Sequence, residues 1–551
     1  MKKRFVAGLL VLCMLLASLA ACGKQESSGD GSGKATTAGE TNAGATQAEA
    51  TQAGDTKASG GESSAPVTEA GDDEDMADIN IVSISMGPIP NDVKLVEDAI
   101  NEITEPEINT HVNFEIIEVG NYEQQMNLKI SSNEKLDLMV TLPGGPTSLP
   151  TMVSQNQCLA LDDLLDQYAP KLLDTVGYLL DGTTYNGKTY GITMYRSLVT
   201  SVYIFMRGDT LEELGLTEKA RNMTTFTEYE EILEAVKSSE KWGYLAPLVQ
   251  SDIAGTVLAI GGIWPGNVDK FEDIKLLDQV GAVAGLTAID LQKDDKTIIN
   301  YFADPETKAA YEKTKDWYNK GYIYKDAATA TDMGNQLMKN NAAFSYIGQS
   351  EIGAEANATA NCGFPVVAVK IATLPISTGS CTKFTWTVPV TCTEPEAAAK
   401  FLNMIYTDAR ICNLLAWGVE DVHYVLRDGM ACYPEGVNES NCGYHLVDFL
   451  AGNQFLVHPW EGQDQDLREQ AAKEMDEAGV SPYLGFTIDT SMLTNEISAC
   501  TNTTKEFVPA LAAGSAELSS YDDLLAKLDA SGAQKIIDEC QKQLNAWLET
   551  K

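Results

Sequence analysis

Four histidines stand against seven tryptophans and 21 tyrosines, and their placement separates recognition from catalysis. His111, His423, His445 and His458 are dispersed, no HExxH is present, and no serine sits in GxSxG. Neither a zinc hydrolase nor a serine nucleophile is therefore written in the motifs. Asp and Glu total 79, so numerous that counting cannot single out a glycosidase pair. Aromatic rings next to hydrogen-bonding groups say more. Trp264 in "GGIWPGN" lies in a Gly/Pro-flanked loop unsuited to core packing. Tyr346, Gln349 and Glu351 share "SYIGQSE"; Tyr195 and Arg196 share "TMYRS"; Trp386 lies in "KFTWTVPV" and Asp489 in "GFTIDTS". Ring faces stack on the C–H surfaces of a sugar, and carboxylate, amide and guanidinium take its hydroxyls; a cleft needs only a few such groups converging. Each has a plainer reading. Trp386 could be an inward core side chain, and Asp489 a helix N-cap. Trp242, Trp317, Trp417 and Trp547 read as packing, as does His423, and Trp460 is undecided between the two.

The elements that must position these residues begin with "INIVSIS", a β-branched strand. "DVKLVEDAINEITEPEIN" has helical spacing at Val93, Val96, Ile100 and Ile103, "VNFEIIEV" is a second strand, "NYEQQMNLKISSNEK" a second helix, and "LDLMVTL" a third strand. This alternation predicts a parallel sheet with right-handed crossovers. Ligands on such sheets sit beyond the carboxyl ends of the strands, which puts Gly87, Gly144 and Gly145 on a candidate rim. None of these turns is a phosphate cradle, since GxGxxG and GxxxxGK[ST] are both missing. Further on, "DGTTYNGKTYGITM" predicts a hairpin turning at "NG". Thr225 and Glu228 predict a capping box. "EPEAAAKFLNMIYTDARICNLLAWG" reads as one long helix, and the C-terminal stretch as two helices around Gly532.

Ahead of these elements, "MKKRF" and an apolar run to Ala21 have the pattern of a secretory signal over residues 1–21. The run falls short of the about 20 residues a permanent span needs. Its exit, Leu19-Ala20-Ala21-Cys22, looks like the lipobox of bacterial lipoproteins, which implies cleavage before Cys22 and diacylation there; two acyl chains hold where one holds marginally. Residues 22–78 are too poor in apolar side chains to form a core and read as a disordered leash, reaching roughly 40 Å. The remaining chain is too long for one core. A net charge of −40 argues against nucleic acid or anionic lipid as partners. Eleven cysteines are present; setting aside Cys13 and Cys22, the rest are odd in number, scattered and without zinc spacing. Cys432 with Cys442 is the most plausible local disulfide.

Several stretches in this order resemble the extracellular solute-binding proteins of ABC importers, in the carbohydrate-type family. They are "YGITMYRSLVTSVYIFMRGDTLEELGL", "YEKTKDWYNKGYIYKDA" and "NNAAFSYIGQSE". "AWGVEDVHYVLRDGMACYPEGVN", "GFTIDTS" and the C-terminal helices resemble its LipO-like branch, with Trp417 where tyrosine is more usual. The resemblance implies an α/β, two-lobe periplasmic-binding-protein-like fold of type II, with parallel-rich sheets and a hinge. The lobes would comprise 79–200 with about 340–392, and 201–339 with about 393–551. It further implies a monomer without cofactor, metal or chemistry. Such a receptor would be anchored by lipid at the outer face of the cytoplasmic membrane and would pass an oligosaccharide or sugar conjugate to ABC permease subunits. A peptide or other polar solute, or an adhesion or signalling role without a permease, are the alternatives.

Overall fold

The computed structural model describes residues 75–251, 254–258, 263, 264, 266 and 268–551. The 1–21 signal segment, Cys22 and nearly all of the leash lie outside the described residues. The strand Ala77–Ser85 pairs in parallel with Thr110–Glu118 on one side and Leu138–Val140 on the other. The helix between the first two, Val93–Ile108, buries Val96 and Ile100 as their spacing predicts. Asn101 clips it to the edge strand, its amide donating to the Val112 carbonyl (2.9 Å) and its oxygen accepting from the Val112 N–H (2.7 Å). Asn109, in the left-handed region at φ 51°, ends the helix. Thr385–Thr387 and Ile192–Thr193 complete this first sheet in antiparallel register.

A second sheet has the order Val366–Leu374, Thr200–Arg207, Ala343–Ser350, Ala246–Val249, antiparallel except for its last, parallel pair. A third, wholly antiparallel and built of short strands, runs Ile299–Asn300, Thr287–Asp290, Lys275–Asp278, Ile263–Trp264. Each has its own core. Ile81, Trp386, Phe401 and Trp417 pack under the first sheet; Ile204, Phe226, Trp317 and Phe344 under the second. Under the third, Leu277, Ile289 and Phe302 meet the C-terminal helices Thr494–Ala512, Ser519–Ala530 and Ala533–Leu548. Removing a side chain of this size fully from water contributes roughly 1.5–3 kcal/mol.

Local chemistry follows the sequence closely. Thr225 accepts from the Glu228 N–H (3.1 Å) and Glu228 from the Thr225 N–H (3.1 Å), starting the helix Phe226–Lys237. The hairpin Thr184–Tyr185/Lys188–Thr189 turns on Asn186 (φ 52°) and Gly187 (φ 76°), the left-handed pair of a type I′ turn.

Three expectations need correction. The long helix is two, Pro395–Thr407 and Ala409–Trp417: Asp408 adopts extended backbone and caps the second by accepting from the Arg410 N–H (2.9 Å). An internal Asp whose side chain competes for a backbone donor breaks a helix the apolar spacing would continue. Cys432 and Cys442 are not bridged; both thiols are free. They donate instead to carbonyls, Cys432 to Val425 (3.5 Å) and Cys442 to Tyr444 (3.1 Å). Finally, the 343–350 and 366–374 strands, assigned above to the first lobe, hydrogen-bond into the second sheet. The 395–417 helices, assigned to the second lobe, pack in the first core. Strand partners far apart in sequence decide this, and apolar periodicity carries no information on them.

Candidate functional site

The chain passes between the first and second sheets at 194–200 and returns at 374–385, and the helix Leu467–Ala478 lies across both passages. Leu179, Leu198, Val199, Ile376, Cys381, Met475 and Leu484 form a small core at this junction. Backbone bonds reinforce it: the Ile376 N–H donates to Gly479 (3.0 Å) and the Ser481 N–H to Ile376 (2.8 Å). Lys370 (2.8 Å) and Ser201 (3.1 Å) both donate to Glu474, whose carboxylate is buried.

Against this junction opens a cavity of about 440 Å³, within the range of small-molecule sites. The loop after Leu138–Val140 gives it Gly144 and Ser148, and the end of Ala343–Ser350 gives Gln349. The third sheet adds Leu277, Asp278 and Gln279, and the return passage Ser377, Ser380, Thr382 and Lys383. Four separate stretches of chain thus bring hydroxyl, amide, carboxyl and ammonium groups to one opening. Gly144 (φ 78°) and Gly145 (φ 69°) need glycine for their left-handed backbone, and a Cβ on Gly145 would meet the Glu123 carboxylate at 3.1 Å. Burial raises the Asp278 carboxyl above its ordinary range, although Ser481 donates to it.

Of the residues singled out from the sequence, Gly144 and Gln349 face this cavity. Gly87 lies in the loop after the first strand, its N–H donating to Ser85 Oγ (3.2 Å). Arg196 and Glu351 meet each other: the buried guanidinium donates to the carboxylate and lies over the Phe449 ring at 5.4 Å. Tyr195 packs on Phe455 (ring centroids 4.9 Å apart). Tyr346 stacks on Phe205 at 4.7 Å, and burial raises its phenol well above the ordinary value. Trp386 is 0% exposed within the first core, on a strand paired on both sides. Asp489 is exposed and accepts from the Ser491 N–H (2.9 Å), a turn-capping role that lowers its pKa. Trp264 ends its strand opposite Lys275.

Asp278 was not legible: a carboxylate ending the apolar run "IKLLD" gives no sign that its strand borders a cavity. Trp460, undecided above, belongs to a half-buried cluster with Trp417 (4.8 Å), Tyr433 (4.9 Å) and His445 (4.4 Å). Among the described residues no group of acidic, cysteine and histidine side chains has the spacing to hold a metal ion, and no helix is long and apolar enough to cross a membrane.

Residues 98–417 match the model of a family described as bacterial extracellular solute-binding protein. Residues 482–549 match a domain of unknown function. A carbohydrate ABC transporter substrate-binding protein of Streptococcus pneumoniae is 24% identical over 467 residues, 82% of this chain and 87% of its own. In structure, the chain is similar to the N-glycan transport solute-binding protein NgtS of the same species, with TM-score 0.72, 20% identity, and 86% and 99% of the two chains covered. The NgtS complex with Man5GlcNAc gives 0.60 at 20% identity, covering 86% and 99%. An HMO-binding, ABC-transporter-associated solute-binding protein of Bifidobacterium longum infantis gives 0.58 at 15%, again covering 86% and 99%. These similarities identify the fold as that of the solute-binding proteins.

Proposed function

The chain belongs to the bacterial extracellular solute-binding protein family, and from that premise we propose that it is the receptor of an ABC importer for an oligosaccharide or sugar conjugate. In this reading residues 77–194 with 385–460 form one lobe. Residues 200–374, carrying the third sheet and the C-terminal helices, form the other. The two close on the cavity about the core of Leu198, Ile376 and Met475, biased by ligand affinity for the closed arrangement. The ligand leaves unaltered, for delivery to permease subunits. Diacylated Cys22 tethers the receptor at the outer face of the cytoplasmic membrane, and the leash keeps it near the permease at high effective concentration.

The observation that supports this most is the convergence of Gly144, Asp278, Gln349 and Ser377 on one cavity from separately cored sheets. Hydroxyl, amide and carboxyl groups at one opening suit hydroxyl-rich guests, and the similar NgtS structures hold Man1GlcNAc and Man5GlcNAc. The deciding experiment is a thermal-shift and calorimetric panel of Man5GlcNAc, other neutral oligosaccharides and short peptides. A sugar present at a hundred times its Kd should stabilise the protein by about 2.7 kcal/mol, with peptides inert. Stabilisation by peptides and by no sugar would overturn the sugar assignment.

A further inference from the structure

The C-terminal stretch 482–549, which matches a domain of unknown function, packs behind the third sheet that borders the cavity. Its helices share one core with the third sheet, Leu277, Leu286 and Ile289 packing with Phe486, Leu524, Leu528 and Ile536. Strands as short as Lys275–Asp278 and Thr287–Asp290 do not hold a sheet together without such a partner. Specific bonds fix the register: Tyr521 donates to the Phe302 carbonyl (2.6 Å), and the Ile298 N–H donates to Gln541 Oε1 (2.7 Å).

Immediately before this stretch one hydroxyl does two things. Ser481 Oγ donates to the Asp278 carboxylate and accepts from the Tyr483 N–H (3.1 Å), shaping the turn that follows. That turn in turn holds Thr378, whose hydroxyl accepts from the Gly485 N–H (2.9 Å) and donates to the Tyr483 carbonyl (3.4 Å). Asp278 and the short helix Thr378–Thr382 both border the cavity. Asp278 is 8% exposed, so its opening is narrow, and Ser481 Oγ occupies one of its two oxygens, Oδ2. The Val280 N–H also bonds this carboxylate, and a carboxylate offers about four acceptor positions, so acceptor capacity is left for one guest hydroxyl.

We propose that the C-terminal region positions a ligand-binding residue: Ser481 holds Asp278 to take a hydroxyl of a neutral guest, so this region governs what the cavity selects. The proposal deepens the receptor reading above and rests on it for the identity of the guest. Asp278 is the binding group; Ser481 is a positioning residue acting through it.

The test compares the full chain with Asp278→Asn, Ser481→Ala and Ser481→Thr, using Man5GlcNAc and the neutral oligosaccharide panel as probes, alongside hydrogen exchange without any probe. Asp278→Asn should weaken sugar binding tenfold or more while leaving the melting temperature within a few degrees. Ser481→Ala should weaken it several-fold, with Ser481→Thr restoring most of the loss. Independently of any ligand, Ser481→Ala should speed exchange at residues 278–280 and 379–383 and leave the first sheet unchanged. Unaltered sugar affinity in Asp278→Asn overturns the binding role, and unaltered exchange at both segments in Ser481→Ala overturns the positioning role. If the wild-type chain binds no sugar, the sugar assignment above fails while the exchange comparison still decides whether Ser481 organises this wall.

Discussion

The guanidinium of Arg196 and the carboxylate of Glu351 form an ion pair between the outgoing passage at the junction and the end of the second sheet's 343–350 strand. Arg196 is almost wholly enclosed while Glu351 stays part-exposed, and Phe449 covers the cation's face at 5.4 Å. Exposure of one partner keeps the Coulomb contribution small, about 1 kcal/mol or less. A double-mutant cycle between Glu351→Gln and Arg196→Met, read by urea unfolding, should give a coupling of that size. Raising the salt to 1 M should shrink it further, because water reaches the carboxylate. The single change at Arg196 should be costlier than the coupling, since it also removes the bond to the Ser197 carbonyl (3.1 Å) and the contact with Phe449. A coupling of several kcal/mol, insensitive to salt, would contradict this account.

Trp386 tests the boundary between site and core. Its ring is enclosed in the first core, and its indole N–H finds no acceptor among the described residues. Trp386→Ala should therefore destabilise the protein by about 3–5 kcal/mol through the cavity it leaves. Trp386→Phe keeps much of the volume and abandons no hydrogen bond, so it should cost far less and leave ligand affinity untouched. An intact melting temperature with lost affinity in Trp386→Ala would return this residue to the binding site.

What the sequence disclosed was mostly local. The Thr225–Glu228 box, the Asn186–Gly187 turn and Gly532 (φ 92°) between the last two helices each depend on a few neighbouring residues, and each is formed. Arg196 and Glu351 could be nominated one by one from their types, yet nothing in either segment showed that they would satisfy each other. Asp278 stayed hidden for the same reason. Its role depends on Ser481, 203 residues away, and no periodicity reports a partner at that distance. Tyr346 stacks on Phe205 and Trp386 lies in the first core, contacts with partners that neither segment announces.

The cysteines make a third prediction. Each of the Cys432 and Cys442 thiols donates to a backbone carbonyl, and burial raises the Cys442 pKa, leaving little thiolate to oxidise. Peptide mapping without reductant should recover Cys432 and Cys442 as free thiols. Dithiothreitol should leave the melting temperature unchanged. A linked peptide joining the two would show that their carbonyl contacts are dispensable.

His445 carries the last prediction. His445 is exposed, yet Trp417, Trp460 and Tyr433 stand against its ring with centroids 4.7, 4.4 and 5.7 Å away. Poor solvation of the imidazolium pushes its pKa down from 6.5 to about 4, and the Asp448 charge offsets this only in part. The sign of the pH effect follows. Unfolded chain takes up the proton first as pH falls through 6.5, so the stability this histidine contributes is complete above that pH and is lost progressively toward pH 4. A residue-specific NMR titration of the imidazole should find a midpoint near 4, and His445→Gln should flatten the stability profile between pH 4 and 6.5. The readout must be residue-specific because burial lowers the His458 pKa as well. A His445 midpoint near 6.5 would mean that the three rings stand further apart in solution, leaving the imidazole hydrated on its faces.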